Sequence, residues 1–497
     1  MIGKNLLSGF ASSGLSAVLG FLFVPLYIKY LGIESYGLIG FFATMQAVLA
    51  LLDMGIAPTM NREAARFTAL GGKLELANLL RTLSLLYWGI GVIAFLAIFA
   101  LAPYIADHWL QATGIDSTRL IRNIILMGLV FSCRWPIGLY QSTLVGMQKI
   151  ATVSAISMAM SILVNFGAWI VLANVSTTIE AFFIWQAIVA LLNLMLVYWI
   201  TWSCFNIKSS LSFQSLKNVW KFSAGMSGIA FSSIFLMQLD KILLSKLLPL
   251  KLFGYYSLAV VFAGSLSLLI NPIFNVIFPR LSELVAEGNE KNIFEFYMTG
   301  TQLLAGILFP VALIGAFFTN DILVYWVRDG AIVSEVAPIA ALLLIGGALN
   351  GVMIFPYALQ LAHGMTKLPL VIILSLISLY VPLTYYLVIT YGAIGGALSW
   401  LLLNLSYLMN GPWLTHKFIL KNSSLMWLCK GVMWPAIISL ATIYTGWALW
   451  RTHDSHLVNL LLGCFLGSLA ILFNYLFWPK HIHAKINLYR ASLKIKC

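Results

Sequence analysis

Charge is what this sequence lacks most. Only 9% of its 497 residues are Asp, Glu, Lys or Arg, while 61% are hydrophobic and the mean hydropathy is +0.95. A soluble globule carries about 25% charge, so a water-soluble domain is excluded. Cysteine is also scarce. Cys133, Cys204, Cys429, Cys464 and Cys497 show no CxxC spacing and mostly fall in or beside apolar runs, which implies neither a disulfide framework nor a zinc site. No GxxxxGK[ST] loop is present, so there is no sign of ATP use. Long hydrophilic inserts are missing too. RTHDSH, with His453, Asp454 and His456, reads as a solvated loop rather than a metal site, and His481 and His483 read as part of a basic tail.

What the chain has in quantity is apolar runs of about 20 residues, the length that crosses a hydrocarbon core. They recur from end to end and predict an all-α polytopic membrane protein with about fourteen transmembrane helices. The first run begins after Lys4 and continues through FLFVPLYI with no small-residue cleavage site, so it is expected to stay as the first span.

The net charge of +13 raises the question of nucleic acid, and the location of the bases answers it. With fourteen spans and both termini in the cytoplasm, 20 of the 29 Lys and Arg residues fall on the cytoplasmic side. Among these are Arg62, Arg66, Lys73, Arg81, Lys149, Lys208, Lys217, Lys221, Arg280 and the tail residues Lys480, Lys485, Arg490, Lys494 and Lys496. Cytoplasmic enrichment of bases orients membrane proteins, and no nucleic-acid partner is needed to explain it.

The chain also repeats itself. KYLGIESYG at 29–37 and KLLPLKLFG at 246–254 align without a gap, pairing Lys29 with Lys246, Ile33 with Leu250 and Gly37 with Gly254. Each closes a span, the first and the seventh, and each is followed by a proline (Pro58, Pro272) and a base (Arg62, Arg280). Six spans between copies make a parallel repeat. The expected division is an N-terminal lobe over 1–205 (spans one to six) and a C-terminal lobe over 206–415 (seven to twelve). Residues 416–497 supply two appended helices and a basic cytoplasmic tail.

PLYIKYLGIESYGLIGF with LLDMGIAPTMNREAARF, and LDKILLSKLLPLKLFGYYSLA with INPIFNVIFPRLSEL, resemble the polysaccharide transporter family. These are Wzx-type O-antigen flippases within the multidrug/oligosaccharidyl-lipid/polysaccharide superfamily. The resemblance implies two six-helix bundles around a central cavity, with the last two helices outside. It implies no enzyme, but a carrier of a polyprenyl-diphosphate-linked oligosaccharide from the cytoplasmic to the periplasmic leaflet of the bacterial inner membrane. A monomer among membrane lipids, alongside other membrane proteins of polysaccharide assembly, is the form expected.

Such cargo sets physical requirements. Each unpaired polar group costs several kcal/mol in hydrocarbon, so a wet cavity and a cationic anchor for the diphosphate are needed. Arg134 in SCRWPIG is the leading anchor. It lies near the middle of its span, where an ionised residue faces a cavity or a partner, and its planar fork suits phosphate oxygens. Trp135 beside it is suited to packing or to stacking on a sugar, and Pro136 bends the helix. An internal ion pair of Arg134 with Asp240 or Asp53 is the structural alternative.

Asp240 and Lys241 stand together inside LMQLDKILLSKLL. Helix neighbours point about 100° apart, so neither is expected to satisfy the other. Lys241 is therefore a second candidate for the cavity, and Asp240 a candidate for charge exchange on opening; snorkelling of Lys241 to the interface is the plainer reading. Asp53, Arg62 and Arg280, with Lys29 and Lys246 at the opposite face, are candidates for gating or for anchoring at the interface. Span amides such as Gln46, Asn165, Gln186, Asn350, Gln360 and Asn404 suit sugar hydroxyls, or tie helices together.

No cofactor is expected. Moving negative charge outward is favoured by about 2.3 kcal/mol per charge per 100 mV, so the membrane potential itself would drive a diphosphate, with coupling to H+ or Na+ through Asp53 or Asp240 as a further route. A drug or cation antiporter of the same superfamily would need uncompensated carboxylates, whereas the charge placed at mid-span is a cation. A polysaccharide polymerase or ligase would need a sizeable external loop, and the longest here, around 104–119 and 319–336, are short.

Overall fold

The structure, a computed structural model, describes residues 2–205, 209–211, 231–232, 234–365, 367–421, 423–451 and 455–478. Lys208, Lys217, Lys221, His453, Asp454, His481, His483, Cys497, the five basic residues of the tail and the start of the expected seventh span lie outside them. So does part of the segment at the expected lobe boundary, 205/206.

The described chain is helical, with no strand among the described residues. Its helices are α1 (Ile2–Leu49), α2 (Ile56–Leu70), α3 (Lys73–Tyr104), α4 (Ser117–Gly146), α5 (Ile150–Asn174), α6 (Ile179–Trp202), α7 (234–247), α8 (Leu250–Gly264) and α9 (Ser267–Glu287). They continue with α10 (Glu290–Phe317), α11 (Thr319–Val327), α12 (Gly330–Val352), α13 (Ile354–Ala362), α14 (Lys367–Phe418), the single turn α15 (Ser424–Met426), α16 (Trp434–Trp450) and α17 (His456–Leu476). Among the described residues, 11 helices are long and apolar enough to cross a membrane. Two of them run far beyond a single crossing. α1 has 48 residues and α14 has 52, each more than twice the roughly 20 residues of one span. Each is broken where a glycine leaves helical geometry, Gly32 at φ 77° and Gly392 at φ 59°. The expected all-α polytopic class is therefore the observed one. One expected loop is not a loop: most of 319–336 is helix, as α11 and the start of α12.

Local signals explain four of the helix starts. Thr178, Asn289, Asp329 and Ser455 each accept a hydrogen bond from a backbone N–H in the first turn they precede, replacing water at donors the helix cannot satisfy.

The chain forms two compact units, Met1–Ser257 and Leu258–Cys497. In the first, α4 packs against α2, α3 and α6, and α1 packs against α5. In the second, α10 is central, packing against α12, α16 and α17, while α12 lies on α14. The amides named from sequence mostly join helices. Tyr27 donates to Asn165 Oδ1 at 3.1 Å, Asn350 to Asn404 at 2.7 Å and Gln360 to Thr415 at 2.6 Å.

The repeated motifs meet inside the first unit. A Cβ added to Gly37 would lie 2.5 Å from Leu250 O, and one added to Gly254 would lie 2.3 Å from Ile33 O. Ile33 and Leu250 are partners in the gapless alignment, as are the two glycines. Each motif therefore does to the other what the other does to it, the signature of a two-fold contact. Gly40 and Ser257, the aligned pair three residues on, face each other. Glu34 of the first motif accepts from the backbone N–H of Thr113 at 2.7 Å and of Gly114 at 3.0 Å. The backbone of Gln111 accepts from Leu250 N at 2.8 Å, at the second motif.

Candidate functional site

α4 places Arg134 about 26 Å from Ser117 and about 18 Å from Gly146 at 1.5 Å per residue, in the middle third of a 30-residue helix. Its half-buried side chain turns towards α1 and α6. Nη1 donates to Gln46 Oε1 at 3.3 Å and Nη2 to Gln186 Oε1 at 2.6 Å, and the guanidinium carbon sits 5.8 Å from the centre of the Phe42 ring. Among the described residues, no carboxylate forms a salt bridge with Arg134. The alternative of an ion pair with Asp240 or Asp53 is not what the structure holds. Two neutral amides orient the fork and leave its charge uncompensated, with three of its five N–H donors outside those bonds.

Trp135 turns the other way. Its ring stacks on Tyr87 at 5.5 Å and lies against Phe131 at 5.4 Å, so part of its aromatic surface is already covered. Its buried Nε1–H has no acceptor among the described residues. Tyr87 in turn donates its hydroxyl to Asp53. The Asp53 carboxylate also accepts from the Ala57 N–H at 3.3 Å, at the start of α2. Trp135 and Asp53 are thus joined through Tyr87, a residue that the sequence reading did not single out, on the side of α4 away from the Arg134 fork.

Asp240 and Lys241 correct the expectation made for them. They bond each other, Lys241 Nζ lying 3.2 Å from Asp240 Oδ1. The lysine stem is long enough to fold back along α7, where Nζ also donates to the Met237 carbonyl at 2.7 Å. Directions of Cα–Cβ bonds, which separate helix neighbours by about 100°, do not bind a side chain of that reach. The other partner is Tyr256 of α8, whose hydroxyl donates to Asp240 Oδ2 at 2.5 Å. Asp240 is 1% exposed.

The remaining candidates make local contacts. Arg62 and Arg66 both bind Glu63 at 2.7 Å. Lys29 lies 5.8 Å from the Tyr30 ring centre and Lys246 lies 5.1 Å from that of Trp109. In the second unit, Arg280 binds Glu283 at 2.5 Å, three residues on along α9.

One cluster escaped the sequence reading altogether. Asp321, fully buried in α11, accepts from Asn459 at 3.0 Å, lies 2.7 Å from His456 Nδ1 and has Arg451 at 3.8 Å. RTHDSH therefore does more than line a loop, since the residues at its two ends both address this carboxylate.

Comparison with known proteins adds the family. A family described as polysaccharide biosynthesis protein matches residues 29–327, more than half of the chain. A putative O-antigen transporter of Shigella flexneri is 25% identical over 191 residues, which are 38% of this chain and 44% of that one, so the match spans less than half of the relative. The fold is shared with the lipid II flippase MurJ in its inward closed conformation (TM-score 0.65, 14% identity, covering 94% of this chain and 97% of that chain). It is also shared with an inward-facing multidrug resistance MATE family transporter of the MOP superfamily (TM-score 0.65, 13% identity, 82% and 96% covered). A multi-pass helical chain with this architecture, matched over most of its first unit and into its second, belongs to the polysaccharide biosynthesis protein family.

Proposed function

We propose that this protein is a flippase that carries a polyprenyl-diphosphate-linked oligosaccharide, an O-antigen or related repeat unit, from the cytoplasmic to the periplasmic leaflet of the bacterial inner membrane by alternating access. The observation that carries this reading is the uncompensated guanidinium of Arg134, held by Gln46 and Gln186 within a membrane-spanning helix. A buried charge without a counter-ion is costly, and a diphosphate arriving from the bilayer is the partner that would repay it with bidentate hydrogen bonds.

The two carboxylates named for coupling, Asp240 and Asp53, are not free to serve a cation antiporter. Asp240 is already bound by Lys241 and Tyr256, and Asp53 by Tyr87 and the start of α2. Neither is an open anion waiting for a cationic drug. Family membership supports a polysaccharide-related cargo; the fold is common to a lipid flippase and a drug transporter. On this reading Arg62 in α2, Lys73 and Arg81 in the first third of α3, and Lys149 just after α4 lie on the cytoplasmic side, as do both termini. The membrane potential favours outward movement of the anionic headgroup by about 2.3 kcal/mol per charge per 100 mV, with H+ or Na+ coupling as an added drive.

The test is export of surface glycan in cells relying on Arg134→Ala or Arg134→Lys, with membrane levels of the protein checked. Alanine should leave lipid-linked glycan trapped on the cytoplasmic leaflet, while lysine, a point charge without the fork, should restore part of the export. Normal export by the alanine variant would remove Arg134 from the cargo path.

A further inference from the structure

Gln46 of α1 and Gln186 of α6 do more at Arg134 than hold it. A carboxamide has one end that accepts and one that donates. Here both accepting ends are spent, Gln46 Oε1 accepting from Nη1 at 3.3 Å and Gln186 Oε1 from Nη2 at 2.6 Å. Each Nε2 shares its carbon with one of those oxygens, so both amino ends stand beside the guanidinium without being aimed at it. Among the described residues neither Nε2 has an acceptor, and nor does Arg134 Nε. None of these nitrogens is sealed in as Trp135 Nε1 is.

What stays open is therefore of one kind. The amino hydrogens of both amides and the unspent N–H groups of Arg134 all donate, so a ligand lodged here has to accept several times over. A sugar hydroxyl brings a proton as well as lone pairs, and a cationic drug meets its own sign of charge. An oxyanion with several oxygens matches the whole set, and the guanidinium rewards its charge. Phe42, 5.8 Å from the guanidinium carbon and edge-on to Phe183 at 5.4 Å, adds no acceptor. The neutrality of the amides matters as much as their geometry. A carboxylate at either position would have nearly the same shape and would bind Arg134 more tightly, yet it would cancel the charge and turn an acceptor towards the ligand.

We propose that Gln46 and Gln186 are specificity-determining residues: with Arg134 they form a cradle of donors alone, which selects a phosphate-bearing lipid headgroup by its charge and its number of free oxygens. This rests on the reading of Arg134 as the anchor of the cargo, and it assigns the two amides to the headgroup rather than to sugar hydroxyls. A diphosphate is held better than a monophosphate, and an uncharged prenyl alcohol gains nothing from the cradle.

Native mass spectrometry of the purified full chain tests this with polyprenyl diphosphate, polyprenyl phosphate and polyprenol. Gln186→Glu and Gln46→Glu should each weaken polyprenyl diphosphate by about 10-fold or more, the worth of a hydrogen bond to a charged group. Each should weaken the monophosphate less and leave polyprenol unchanged. Both variants should melt no lower than the parent, because each gives Arg134 a counter-ion. Gln186→Leu, which removes the donor and adds no charge, should fall between the parent and Gln186→Glu for the diphosphate. Equal weakening of all three probes would leave the amides a packing role, and no change in any would put them out of reach of the headgroup; either overturns the proposal. Should one glutamate variant fail to fold, the other and Gln186→Leu carry the same readings. Arg134→Ala keeps the two questions apart. If it binds polyprenyl diphosphate as the parent does, the anchor reading falls; if it binds weakly while the glutamate variants bind normally, that reading stands and the cradle falls.

Discussion

Replacing Gly254 with alanine tests the reciprocal crossing of the two repeated motifs. In an open helix the change stabilises, by about 1 kcal/mol from backbone propensity. Gly20 in α1 is such a place, with nothing within 4 Å of an added Cβ. At Gly254 the new carbon would lie 2.3 Å from the Ile33 carbonyl oxygen, roughly 1 Å inside ordinary contact, and the obstacle is backbone rather than a movable side chain. Overpacking of this kind costs about 1–3 kcal/mol. For a body of this size 1 kcal/mol moves the melting temperature by about 2–4 °C. Gly254→Ala should therefore melt several degrees lower and Gly20→Ala slightly higher, read by tryptophan fluorescence of the purified protein in one detergent. Gly37→Ala, which meets Leu250 O at 2.5 Å, should resemble Gly254→Ala. The double variant should cost less than the sum, because one displacement of the crossing relieves both clashes. If Gly254→Ala melts at or above the parent, or if the two costs simply add, the motifs do not cross as described.

Two further outcomes are expected. Asp240→Asn should lower stability by about 1.5–3 kcal/mol, the worth of hydrogen bonds to a charged group, whereas replacing the pair together (Asp240→Leu with Lys241→Met) should recover much of that loss, as apolar substitutes for buried pairs commonly do; thermal melting that finds the double variant no better than the single one would refute the structural role assigned to the pair. A reporter fused after Cys497 should be active only in the cytoplasm, and an external signal would reverse the orientation on which the proposed direction of transport depends.

Much of this was legible in the sequence, for identifiable reasons. Spans are written in long apolar runs, because hydrocarbon tolerates little else. The motifs at 29–37 and 246–254 could be aligned because glycine recurs wherever backbone touches backbone. Partnerships between distant residues were not legible. Gln46 and Gln186 were visible as span amides, yet nothing in a one-dimensional pattern says that both turn towards Arg134. Tyr87 and Asp321 gave no signal, since a tyrosine or an aspartate beside an apolar run is common and their partners lie far along the chain. Asp240 and Lys241 were misjudged through a rule about backbone directions, applied to a side chain long enough to escape it.

The bond between Asp240 and Lys241 has an electrical consequence. Joined on one turn of α7, they amount to a short dipole of zero net charge, so a change of voltage does almost no work on that segment wherever it moves in the bilayer. Arg134, with neutral amides for company, remains a full unit of charge. Displacement of α4 along the membrane normal would be felt by the field, by up to about 2.3 kcal/mol per 100 mV for a complete crossing. Of these two inner cationic places, only the one on α4 carries a net charge on which a voltage across the membrane would act if the helix moved.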